Sequence, residues 1–324
     1  MCRRYGDPDA ARVEDVEKPR PRETEVLIRV RAAGLNPLDW HLKKGKPQVG
    51  RLLTGMHEPN DPRMGVDAAG EVEAVGSNVT QFKTGDTVFG SCRGAFAEYA
   101  CTAASAVVTK PENVTFEEAA AAPVAGYTAL QALRDQGCVK PGQKVLINGA
   151  AGGVGTFSVQ VAKWLGAEVT AVCSTGNVEM VRSLGADRVV DYTREDFTAG
   201  GERYDVILDL VANHSLGECR RVLKRGGTFL LAGVLSGRWG NFAAMAVSAP
   251  LLSPFVGQKL RISGAKRNSR DLATLAELMA AGKLKAVIAK TYLLDEVPAA
   301  IRHLASGHAR GKIVVRPPSE SAGT

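Results

Sequence analysis

The chain has 324 residues, 45% apolar and 23% charged, a composition that excludes disordered, collagen-like and disulfide-framework classes. That length corresponds to about two domains. Lys and Arg number 41 against 34 Asp and Glu, a net charge of +7, and no long basic block occurs, which disfavours a nucleic-acid partner and suits an anionic cofactor. The six cysteines contain no C-x-x-C pair and the amino terminus has no apolar signal region, so a reducing, cytoplasmic setting is expected. The most lipid-like stretch, Phe242–Val256, is broken by Pro250 and Pro254 and is shorter than the ~20 residues a membrane span needs. It is expected to be a mobile apolar element over a pocket or at an interface.

From the amino terminus, Glu25–Val30 is rich in aliphatic residues, and Gly70–Gly76 alternates polar and apolar between glycines, as half-buried strands do. Thr84-Gly85-Asp86 is a turn leading into Thr87–Phe89. Thr115, with Glu118 three residues on, predicts a helix start closed by a capping box. Beyond it, Lys144–Asn148, Glu168–Ser174, Arg188–Tyr192, Asp205–Val211, Thr228–Ala232 and Leu260–Ser263 read as strands. Gly155–Leu165, Val178–Leu184 and Leu216–Leu223 read as helices. This alternation predicts an α/β fold with a doubly wound parallel sheet. Asp271–Ala281 and Val297–Ala305 read as amphipathic helices, Lys312–Arg316 as a final strand, and 317–324 as a disordered tail.

The most informative motif is Val145–Gly155, where an apolar strand runs into Asn148-Gly149-Ala150-Ala151-Gly152-Gly153-Val154-Gly155 and then a helix. Glycines at 152 and 153 let backbone approach a pyrophosphate, Gly155 lets helix pack on strand, and the helix end offers free N–H groups. A cofactor acid for a ribose 2′-OH is expected about 20 residues on. The second strand instead ends Cys173-Ser174-Thr175-Gly176-Asn177. Ser174, Thr175 and Asn177 can donate to a 2′-phosphate that an acid would repel, which favours NADPH. Neither Arg nor Lys stands at that strand end, and Arg182 is a helical turn away.

Five segments resemble the zinc-independent, quinone oxidoreductase-like branch of the medium-chain dehydrogenase/reductase superfamily. They are Ala32–Asp39, Gly65–Val72, Pro123–Leu130, Ala150–Gly155 and Gly311–Val315. The resemblance implies a GroES-like β-rich catalytic domain over 1–120 with 265–316, a Rossmann NADPH-binding domain over 121–264, and an active site in the cleft. It places Thr128, Ala151, Gly152, Gly153, Val154, Ser174, Asn177, Tyr192, Val211, Gly233, Val234 and Lys312 where relatives contact the dinucleotide. Many relatives carry Lys where this chain has Asn177. Relatives also open with a strand before the Tyr5-Gly6-Asp7-Pro8 stretch, so a shortened first strand or an upstream start is expected. They pair as homodimers through an edge strand, here near Gln258–Ser263.

Zinc-dependent cousins, by the same resemblance, need a thiolate at Asn36, a His-Glu pair at Val66-Asp67 and a ligand near Ala119–Ala122. Asn, Val and Ala are not zinc ligands, so no metal is expected. Without a Lewis acid, alcohol oxidation is disfavoured. The expected activity is hydride transfer from NADPH to a quinone or an α,β-unsaturated carbonyl, a small-molecule partner. Asn36 is the candidate for holding the acceptor carbonyl or the nicotinamide ribose, Tyr127 a candidate proton donor, and Asp39 a structural residue bonding nearby amides. An enoyl-thioester reductase of lipid or polyketide assembly stands second, because Lys43–Gln48 lacks a Tyr. A non-catalytic dinucleotide-binding sensor is the third reading.

Overall fold

A computed structural model describes residues 1–45, 55–233 and 239–318. In chain order the first part holds β1 (Glu25–Leu35), α1 (Pro37–Lys44), β2 (Asp67–Val75), β3 (Thr87–Ser91), β4 (Tyr99–Ala103), β5 (Val107–Thr109), α2 (Phe116–Ala121) and α3 (Pro123–Leu130). There follow β6 (Lys144–Asn148), α4 (Gly153–Trp164), β7 (Glu168–Cys173), α5 (Val178–Ser183), β8 (Arg188–Asp191), β9 (Tyr204–Asp209), α6 (Leu216–Arg221), β10 (Leu223–Leu231), α7 (Trp239–Leu252) and β11 (Lys259–Ile262). The last part is α8 (Ser269–Ala280), β12 (Ile288–Leu293), α9 (Val297–Ala305) and β13 (Lys312–Arg316). The chain divides into two compact units, Met1–Val124 with Arg267–Thr324, and Ala125–Lys266.

The first unit is built on a seven-stranded sheet in the order β12-β13-β1-β2-β3-β5, with β4 also paired to β1. Its long central strand β1 carries Val26, Ile28 and Val30 into a core shared with Val72 and Val88. β1 also pairs antiparallel with β13, Leu35 opposite Ile313, which joins the two ends of the chain in one sheet. Gly34 is required here: a Cβ would lie 2.3 Å from the Ala120 carbonyl oxygen. The helix that approaches so closely, α2, has buried alanines at 119–121 and begins with the expected capping box, Glu118 N–H donating to Thr115 Oγ1 at 3.2 Å. Residues 1–24 form one short 3-10 turn, Pro8–Ala10, and no strand.

The second unit is a six-stranded sheet in the order β8-β7-β6-β9-β10-β11, all parallel. Its strands are covered on both faces and therefore read as continuous apolar runs, such as Val145–Ile147 and Val206–Leu208. Taken from β6 as first strand, the order is 3-2-1-4-5-6, the doubly wound arrangement that the alternation predicted, and its switch point lies between β6 and β9. The α/β class with a GroES-like and a Rossmann-type unit is thus what the chain adopts.

Two local expectations change. The helix read as reaching Leu223 stops at Arg221, and Leu223 already pairs in β10 with Tyr204. The apolar stretch read as a loose element is helix α7, with Met245 and Ala249 in the core and Val247 and Leu251 exposed. Pro250 lies two residues before the end of the helix and has no N–H to give the Ala246 carbonyl, so the last turn lacks that bond and the helix stops soon after it. Among the described residues no helix is long and apolar enough to cross a membrane. The tail from 319 onward lies outside the described residues.

Candidate active site

In the second unit the glycine loop sits at the carboxyl end of β6, at the switch point where open α/β sheets bind ligands. Gly149 turns the chain with φ of +89°, and a Cβ at Gly155 would lie 2.1 Å from the Gly149 carbonyl oxygen, so α4 packs against the loop only without a side chain there. At Gly152 a Cβ would meet nothing nearer than 3.5 Å. A Cβ there would make only ordinary contact with the loop, so leaving it out gives a ligand room to approach the backbone. Gly152 caps α4 without any side-chain hydrogen bond, so the first-turn N–H groups remain available to an anion. The residues present fit a dinucleotide pyrophosphate.

Across the switch point Asn148 donates from Nδ2 to Asp209 Oδ1 at 2.9 Å and to Asn213 Oδ1 at 2.7 Å. Asp209 Oδ1 also accepts the N–H groups of Val211 and Ala212, each at 3.0 Å. These bonds shape the turn after β9 in which Ala212 has φ of +56°. Burial pushes the Asp209 carboxyl up from its ordinary range. Val211 on this turn and Gly233 after β10 come to the same end of the sheet as Ala151–Val154. Thr128 is half-buried and Tyr127 buried on α3. Val234 lies outside the described residues.

The neighbouring corner, after β7 and β8, differs from expectation in three ways. No acid stands at the carboxyl end of β7, yet the parallel pairing sets Asp191 of β8 opposite Cys173, bringing a carboxylate to the same corner. Thr175, expected to donate to a phosphate, donates from Oγ1 to Asp191 Oδ2 at 2.6 Å. Asn177 donates to Ser174 Oγ at 3.0 Å and leaves its own Oδ1 buried without a partner. Arg182 pairs with Glu179 at 2.8 Å. Tyr192 is exposed beside this group, its N–H bonded to the Cys173 carbonyl at 3.0 Å. Asp191 and Arg194 were missed by following β7 alone. The signal was available, since a parallel β8 must deliver its last residues to the end where β7 finishes.

In the first unit the sheet register gathers four polar residues in the interior. Asp67 opens β2 opposite Gly34, Asn36 follows β1 as the N-cap of α1, and Lys312 opens β13. Asn36 Nδ2 donates to Asp67 Oδ2 at 2.9 Å and to the Gly34 carbonyl at 3.2 Å. Its Oδ1 accepts from Lys312 Nζ at 2.5 Å, and Lys312 also donates to the Leu35 carbonyl at 3.1 Å. Asp39 Oδ2 accepts the Asn36 N–H at 2.8 Å. All four side chains are below 5% exposed. Burial raises both carboxyls, Asp39 to about 7, and lowers the Lys312 ammonium, while the opposite charges act against these shifts. Lys312, expected among the dinucleotide contacts, donates here to Asn36 and to the Leu35 carbonyl. Both Asn36 amide hydrogens are donated within the unit, so it has none left for an acceptor carbonyl. Among the described residues no group of three or more His, Cys, Asp or Glu is placed to hold a metal.

Comparison with known proteins agrees with this architecture. Residues 22–112 match the alcohol dehydrogenase GroES-like domain and residues 184–315 the family described as zinc-binding dehydrogenase. The chain is 35% identical to the 2-methylene-furan-3-one reductase of Solanum lycopersicum, over 97% of this chain and 77% of that protein. It is 35% identical to the chloroplast envelope quinone oxidoreductase homolog of Arabidopsis thaliana, over 95% of each. The solved quinone oxidoreductase of Coxiella burnetii superposes with a TM-score of 0.84 at 31% identity over 97% of each chain. The Escherichia coli quinone oxidoreductase, solved complexed with NADPH, gives 0.81 at 25% identity over 97% of this chain and 98% of that one. The chain is therefore an oxidoreductase of the medium-chain dehydrogenase/reductase superfamily and belongs to its quinone oxidoreductase-like family.

Proposed function

We propose that this protein transfers hydride from NADPH to a quinone or to an alkene conjugated with a carbonyl, and that it does so without zinc. The observation that carries the reading is the open cradle at Gly152, ahead of an uncapped helix end at the β6–β9 switch point. The dinucleotide supplies the hydride, and the protein supplies its orientation. The acceptor class is supported by the relatives' names, a furanone reductase and quinone oxidoreductases, whose acceptors share a carbon–carbon double bond conjugated to a carbonyl. Such acceptors take hydride at carbon, and the electron pair moves onto oxygen, where no metal is needed to receive it.

The zinc-free reading is supported by Lys312, whose ammonium on Asn36 Oδ1 would repel a second cation at that position. Asn36 then serves the reaction through the second lone pair of Oδ1, accepting a hydroxyl such as that of a ribose. Solvent is the proton source in this reading, with Tyr127 packed in the interior on α3. A homodimer through β11 is supported by that strand's edge position and by the exposure of Ile262 and Phe255 beside it.

Loss of NADPH absorbance is the test, with 9,10-phenanthrenequinone, a conjugated enone and a crotonyl thioester as acceptors and NADH in parallel. Turnover of the first two acceptors, faster with NADPH, is expected. Preferential turnover of the thioester would move the assignment to an enoyl-thioester reductase, and tight NADPH binding without turnover of any acceptor to a sensor.

A further inference from the structure

The corner after β7 and β8 holds a carboxylate, Asp191, at the place where the NADPH reading above needs room for a 2′-phosphate. Asp191 is held as an anion: Thr175 Oγ1 donates to Oδ2 at 2.6 Å, and the N–H and hydroxyl of Thr193 donate to Oδ1 at 3.0 and 2.8 Å. Those donors, Thr175 foremost, keep the carboxyl below its ordinary range. A depression of about 420 Å³ opens here, lined by Thr175, Val178, Asp191 and Arg194 and also by Glu179 and Glu195. Each of the two glutamates has its own arginine, Glu179 with Arg182 at 2.8 Å and Glu195 with Arg188 at 3.4 Å. Arg194 differs. Its Nε stands 3.5 Å from Asp191 Oδ2, and the side chain is 74% exposed. It is tethered near Thr175 by charge and is otherwise open to solvent.

We propose that Arg194 supplies the cation that recognises the 2′-phosphate of NADPH, with Asp191 keeping it at the corner when no phosphate is bound. A guanidinium can present two parallel N–H groups to a phosphate, and a small rotation frees Arg194 from a pair that is already long. Asp191 then sets the discrimination. With Arg194 in place the two charges cancel, and without it an incoming phosphate meets a bare carboxylate. The corner thus uses a cation from the turn after the neighbouring strand β8 in place of the Lys that relatives carry where this chain has Asn177. This inference rests on the NADPH reading above and adds the residue that decides it.

The test is calorimetric binding of 2′,5′-ADP and of 5′-AMP to wild type, Arg194→Gln, Arg194→Lys and the Arg194→Gln/Asp191→Asn double variant. It is followed by the ratio of kcat/KM for NADPH over NADH. Wild type is expected to favour 2′,5′-ADP. Arg194→Gln should lower that preference by about 10–100-fold, the worth of a charge-assisted bidentate contact. Arg194→Lys should retain part of it, and the double variant should recover part because the repelling carboxylate is gone. If wild type prefers 2′,5′-ADP and Arg194→Gln leaves the preference intact, the phosphate is bound elsewhere and this proposal fails while the NADPH reading stands. If wild type binds the two nucleotides equally, the NADPH reading fails first. Circular dichroism melting of each variant separates misfolding from a binding loss.

Discussion

Each unit carries a carboxylate held by neutral donors beside a basic side chain, and burial makes the two groups behave oppositely. In the first unit Asp67 is 0% exposed, Asp39 3% and Lys312 4%. Every one of these charges has lost its water and must be answered by the protein. In the second unit the Asp191 side chain is 13% exposed and that of Arg194 74%, so solvent screens the pair and each partner can be exchanged cheaply. A buried charge network belongs to the fold and cannot be altered without unfolding risk. A surface pair of similar chemistry is free to serve a ligand.

The largest effect expected is at Lys312. Replacing it by Met takes from buried Asp67 and Asp39 the ammonium that acts on both, which costs about 3–5 kcal/mol. Urea unfolding of Lys312→Met measures this directly. The double variant Asp67→Asn/Lys312→Met removes the stranded charge with its partner and should regain more than half of the loss, because contacting residues do not behave additively. A single variant as stable as wild type would mean that Asp67 is answered by something other than Lys312, and the contrast between the units would collapse.

Asp39 sharpens the comparison through pH. Burial, opposed by the Asn36 N–H and aided by Asp67, sets its carboxyl at about 7 against an ordinary 3.8. The folded state therefore keeps a proton between those values that the unfolded chain has released. The stability tied to this proton is complete at the acid end and is lost as pH rises through 7, by at most about 4 kcal/mol. Asp39→Asn keeps an oxygen to accept the Asn36 N–H but never ionises. Its unfolding free energy should lack that decline between about pH 4 and 7 and exceed the wild-type value at pH 8. Parallel pH curves for the two proteins would show that Asp39 ionises normally.

Much of the second unit was legible because its signals are local. An apolar run, a glycine loop and a helix follow one another at 144–164, and the strands repeat that rhythm. The short strands β4 and β5 and the late strand β12 carry no such rhythm; they exist because β1, β3 and β13 respectively give them an edge to pair with. Asn36 and Lys312 were each singled out from motifs 276 residues apart, and only the pairing of β1 with β13 shows that they touch. Their burial was hidden for the same reason, since a lysine after a glycine reads as a surface residue. At the 2′ corner the missing information was lateral. Thr175 and Asn177 were read as free donors because the carboxylate that takes Thr175 arrives from β8.

The smallest effect is expected at that corner. Thr175→Val removes the hydroxyl that contributes most to holding Asp191 as an anion. The Asp191 carboxyl should then rise toward the ordinary aspartate range, a change that carbon-detected NMR titration resolves. Thr193 still donates twice to Oδ1, so the carboxylate keeps its place. A depressed carboxyl stabilises the fold above its unfolded value and loses that contribution as pH falls, but exposure leaves little of it here. The melting temperature at pH 7 should therefore stay at the wild-type value. With the carboxyl more readily protonated, its charge should tether Arg194 less, weakening 2′,5′-ADP binding by a small factor and 5′-AMP binding not at all. A marked fall in melting temperature would place Asp191 with the buried cluster of the first unit, as a charge the fold depends on, and would remove it from the side chains free to serve the cofactor.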